Sequence, residues 1–73
     1  MTVRDYIADK IETHQTARRT NILNGSKCRD KSMRDNFNGY AYQHKVQAEI
    51  YLHMLEKLPI SALDMPMEDN KDA

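Results

Sequence analysis

Seven residues between Phe37 and Leu58 recur at alternating steps of four and three: Phe37, Ala41, His44, Ala48, Tyr51, Leu55 and Leu58. Steps of that size hold side chains on one side of an α-helix and make a heptad seam. A strand needs alternation with a period of two, which nowhere survives more than a few residues of this sequence. The seam predicts a long helix that closes at Leu58, because Pro59 pushes the residue before it out of the α region. Ser26 offers a cap directly after the turn, and Ser32 offers one with Asp35 in the capping-box position; a start between these is favoured. Tyr40, Val46, Ile50, Leu52 and Met54 widen the apolar surface beyond the seam, so this helix is expected to meet more than one neighbour.

A first helix is expected from about Val3 to Leu23. Thr2 is a good N-cap, with Asp5 in the reciprocal position. Val3, Ile7 and Ile11, joined by Tyr6, form an apolar stripe that fades across Thr13–Thr20 and returns at Ile22 and Leu23. Asn24-Gly25 reads as a stop, with Gly25 suited to a left-handed C′ position. The expected fold is therefore all-α, an antiparallel helical hairpin over residues 1–63. Residues 64–73, with four acids and one lysine, are expected to form a flexible acidic tail. The apolar stretch before the tail, Ile60 to Met67, is expected either to drape over its own hairpin or to dock in a partner's groove.

Chains below about 70–80 residues rarely bury enough apolar surface to stand alone without disulfides, metal or association. This chain of 73 residues has one cysteine, no tryptophan and one phenylalanine. A homodimer in a four-helix arrangement is expected on that ground. Its interface is expected to centre on the seam (Phe37, Ala41, His44, Ala48, Tyr51, Leu55, Leu58), with Ile7 and Ile11 from the first helix. The same seam serves equally as the core of a single hairpin, and the sequence does not separate the two.

Site chemistry is sparse. His14, Cys28, His44 and His53 are the conceivable metal ligands, but no CxxC, HxxxH or HExxH spacing joins them, so no metal is expected. In the seam, His44 reads as a hydrogen-bonded or stacked histidine. Cys28 lies between Lys27 and Arg29, without a base positioned to activate it. No phosphate loop, GxSxG motif or carboxylate pair is present, and neither an enzyme nor a cofactor is expected. Residues 18–34 hold six bases (Arg18, Arg19, Lys27, Arg29, Lys31, Arg34) against Asp30 alone, which makes them possible nucleic-acid contacts. Four of the five aromatics, however, lie on the second helix and none among the basic residues, and such long helices are ill suited to a helix-turn-helix reader.

The segments MTVRDYIADKIETHQ, NGSKCRDKSMRDNFNGYAYQHK and IYLHMLEKLP together resemble the small early proteins of lambdoid phages encoded in the exo–xis region of the early leftward operon. The resemblance spans most of the chain. It implies a protein made early in infection, in the host bacterial cytoplasm. It also implies an association with lytic development and with disturbed host replication and cell cycle. The family offers no site motif, so no functional residue carries over.

The residues themselves agree with an intracellular protein. No run approaches the roughly 18–20 apolar residues of a membrane span, and MTVRDYIADK lacks the apolar core of a secretory signal. A single cysteine suits a reducing compartment. The expected function is a non-enzymatic accessory protein that binds a host or phage protein, without a membrane or small-molecule substrate. The alternative is a nucleic-acid-binding regulator acting through the basic turn.

Overall fold

The chain enters its first helix through a reciprocal cap. The Thr2 backbone N–H donates to Asp5 Oδ2 at 3.1 Å, and the Asp5 N–H donates to Thr2 Oγ1 at 3.2 Å. This pairing satisfies two of the amide donors that every helix start leaves free. In the computed structural model, which describes residues 1–67, α1 spans Val3–Lys27, α2 spans Lys31–Lys57 and a short α3 spans Ile60–Leu63. The two long helices pack against each other as an antiparallel hairpin, and no strand forms among the described residues.

One boundary differs from the sequence reading, and the start of α2 falls within the interval it favoured. The first helix does not stop at Asn24-Gly25 but continues to Lys27, and no glycine among the described residues has positive φ. Gly25 serves proximity instead of turning. It is buried, and a Cβ built on it would lie 3.1 Å from Phe37 Cβ. The absent side chain is what lets α2 approach at this level. The connection is then only Cys28 to Asp30. α2 starts between the two serines, and Asp30 caps it: its Oδ1 accepts from the Ser32 N–H at 2.8 Å. The far end agrees with expectation, since Leu58 is extended directly before Pro59.

The six seam residues within α2 turn inward, with Leu58 just after it, and they are the only residues of α2 that are less than exposed. Opposite them on α1 stand Val3, Ile7, Ile11, His14, Ala17, Asn21 and Gly25, none of them exposed. The apolar stripe of α1 therefore does not end at Ile11. It continues in small and polar residues, which pack beside the small Ala41 and Ala48, 4% and 5% exposed. The thick part of the core is at the open end of the hairpin. There Ile7, Ile11 and Leu63 cluster, with Tyr51, Leu55 and Leu58 packed against them. Burying aliphatic side chains of this kind contributes about 1.5–3 kcal/mol each.

Leu63 reaches that cluster because the chain folds back after Pro59. Of the two roles foreseen for the segment around it, packing on its own hairpin is the one the fold uses. The expected tail boundary shifts with it. Residues 64–67 are tied to the start of α1: the Val3 N–H donates to Met65 O at 2.9 Å, and the Met67 N–H donates to Met1 O at 2.8 Å. Arg4 Nη2 also meets Asp64 Oδ1 at 3.1 Å. The rest of the expected acidic tail, 68–73, lies outside the described residues.

Candidate interaction surfaces

The nine residues expected at a dimer centre lie between the helices of one chain. Ile7 is 1% exposed and Ile11 8%, and the α2 seam faces them. Ile7, Ile11, Ala41 and Ala48 are buried there, and Phe37, His44, Tyr51, Leu55 and Leu58 are half-buried, so the seam serves as the core of a single hairpin, one of the two roles left open for it.

Halfway along the hairpin the two helices meet through histidines. His14 Nδ1 and His44 Nδ1 are 2.9 Å apart, and the His14 ring stacks on Tyr51 with centroids 5.9 Å apart. His53 lies on the opposite, exposed side of α2 and does not join them. Cys28 is also separate, with its Sγ against Asn24 O at 3.2 Å. Among the described residues no three His, Cys, Asp or Glu side chains come together as a metal-binding set.

The six basic residues are all exposed. Lys27 ends α1, Arg29 lies in the connection, and Lys31 and Arg34 occupy the start of α2. Arg18 and Arg19 lie further back, about 12–14 Å along α1 from Lys27 at 1.5 Å per residue. Arg19 donates to Thr16 Oγ1 at 3.3 Å. The one ion pair among the described residues, Arg4 with Asp64, is at the other end of the hairpin. Lys31 and Arg34 add positive charge to the end of α2 where the helix dipole is already positive, and the first turn of α2 carries no acid. The turn end therefore carries Lys27, Arg29, Lys31 and Arg34 against Asp30 and Asp35.

A second surface was only half legible in the sequence. Tyr42, Val46, Ile50 and Met54 step by four along α2 and are 65%, 37%, 56% and 38% exposed. Val46 lies on the side of α2 away from α1, while Tyr42 borders a groove with Arg18 and Ile22, and Ile50 and Met54 border one with Tyr6 and His14. Besides its filled inner face, the helix thus carries an open apolar row. No helix among the described residues is long and apolar enough to cross a membrane.

No protein-family model, curated protein or solved structure matches the chain.

Proposed function

We propose that this chain is a non-enzymatic early accessory protein of a phage, acting as a homodimer in the host bacterial cytoplasm. It binds a host or phage protein and favours lytic development over lysogeny. The phage assignment rests on the sequence resemblance. The mode of action rests on one observation: the outer face of α2 is apolar and uncovered, while the polar clusters of the hairpin are occupied in holding the helices together. An uncovered apolar stripe on so small a protein is a surface for association.

The test has two parts. Expression of the full chain in a sensitive bacterium is expected to lower the frequency of lysogens formed by an infecting temperate phage. An unchanged frequency contradicts the lytic role. Tagged chain incubated with bacterial lysate is expected to retain a discrete protein after nuclease treatment, with little change between about 50 and 200 mM salt.

A second reading is favoured by the electropositive turn: a nucleic-acid-binding regulator contacting phosphates through Arg18, Arg19, Lys27, Arg29, Lys31 and Arg34. Phosphate contacts release counterions, so that binding falls steeply over the same salt range. Capture that disappears with nuclease supports this reading over the first.

A further inference from the structure

We infer that the outer face of α2 is closed by the same face of a second copy, antiparallel, with the two-fold axis at Val46. The inference deepens the self-association proposed above and rests on it. Two observations lead to it.

The first is charge. At 100° per residue, Asp35, Tyr42, Val46, Ile50 and Lys57 fall within an arc of about 80° on the outer side of α2. All five are exposed. The stripe has an acid at its start, apolar residues in its middle and a base at its end. Such a stripe is complementary to itself when reversed. With Val46 facing Val46, Tyr42 lies opposite Ile50 of the other copy, and Asp35 lies opposite Lys57 at both ends. A parallel pairing would set Asp35 against Asp35 and Lys57 against Lys57.

The second is Gly39, on the same arc. Glycine inside a helix costs about 1 kcal/mol relative to alanine. Gly25 has a reason within the chain, the close approach of Phe37. Gly39 has none: a Cβ there meets nothing within 4 Å, and its φ is not positive. In the antiparallel register the notch at Gly39 lies opposite His53 of the second copy and leaves room for that ring. The result is a four-helix layer in which the α2 helices are central and the basic turns lie at opposite ends.

The register is tested by cysteine cross-linking of the full chain in a Cys28→Ser background. Val46→Cys is expected to oxidise rapidly to a disulfide-linked dimer. Tyr42→Cys and Ile50→Cys are each expected to remain uncross-linked alone and to link to one another when mixed. Self-linking at all three positions overturns the antiparallel arrangement. Linking at none, in a chain that sediments as a dimer, overturns this face while leaving self-association intact. Sedimentation as a monomer at all concentrations overturns both, and a foreign protein captured on the Val46 face of that monomer would retain the protein-binding reading alone. Charge reversal provides a check independent of the folding of the cysteine variants. Asp35→Lys and Lys57→Asp are each expected to weaken the homodimer about tenfold at low salt, and their mixture to recover it. Equal affinity in all three samples contradicts the pairing.

Discussion

His14 and His44, thirty positions apart in the chain, face each other with Nδ1 atoms 2.9 Å apart. Such a contact requires one Nδ1 to donate a proton and the other to accept it, so at least one ring must be neutral. When both rings are charged, two donors and two like charges face each other. His44→Ala, which removes one partner and part of the packing between the helices, is expected to destabilise the hairpin by about 1–3 kcal/mol in urea unfolding. His44→Gln, whose amide can accept from or donate to His14, should recover part of that loss. Equal stability of His44→Ala and the native chain would contradict the contact.

Gly25 carries a packing prediction. Gly-to-Ala replacement inside a helix ordinarily stabilises it, but here the new atom would lie 3.1 Å from Phe37 Cβ and 3.6 Å from the Arg34 carbonyl oxygen. Neither neighbour is the loose end of a flexible side chain. Gly25→Val, with more bulk, is expected to destabilise the hairpin by about 1–3 kcal/mol. Urea unfolding measures it, and a gain in stability would show that the helices do not approach closely at this level.

The α1 cap is testable through Asp5. Its carboxyl is held below the ordinary value of 3.8, first by the backbone N–H of Thr2 and then by the Thr2 hydroxyl. A lowered value in the folded chain stabilises it above the unfolded value, and that stabilisation is lost as pH falls through the folded one, below about pH 4. Thr2→Ala is expected to cost about 1 kcal/mol at neutral pH. It should also move the Asp5 titration, followed by NMR, up toward the ordinary value. An unmoved titration would mean that the hydroxyl does not hold the cap.

Leu63 closes the open end of the hairpin. It is 4% exposed and packs with Ile7 and Ile11. Leu63→Ala is expected to cost about 2–4 kcal/mol, read by thermal or urea unfolding. Ile60, 71% exposed in the same short helix, serves as the control, and Ile60→Ala should be nearly neutral. Equal effects would remove the segment after Pro59 from the core.

The helical hairpin and its inner face were legible because a heptad seam is a local geometric pattern. Phe37 to Leu58 is the same row in the sequence and in the fold. The α1 counterpart was legible only as far as Ile11. Beyond it the inward positions are His14, Ala17 and Asn21, which hydropathy does not mark and which become recognisable only opposite Ala41, His44 and Ala48. Gly25 misled because a glycine that turns the chain and a glycine that admits a neighbour look alike until the neighbour is known. The expected dimer surface raised the same difficulty: a seam does not say whether its partner lies in the same chain. The outer stripe was visible as extra apolar residues, but the exposure that makes it a surface depends on which side α1 takes.

Placing the same charged residue on each side of α2 tests this account most directly. Ala48 is buried against α1, and Ile50, two positions on, is 56% exposed on the outer face. Circular dichroism and sedimentation of Ala48→Asp and Ile50→Asp read folding and assembly together. The account predicts that Ala48→Asp loses most of its helical signal. Ile50→Asp is predicted to keep that signal and sediment as a monomer. Ile50→Asp unfolding as completely as Ala48→Asp, or remaining a dimer as stable as the native chain, would contradict it.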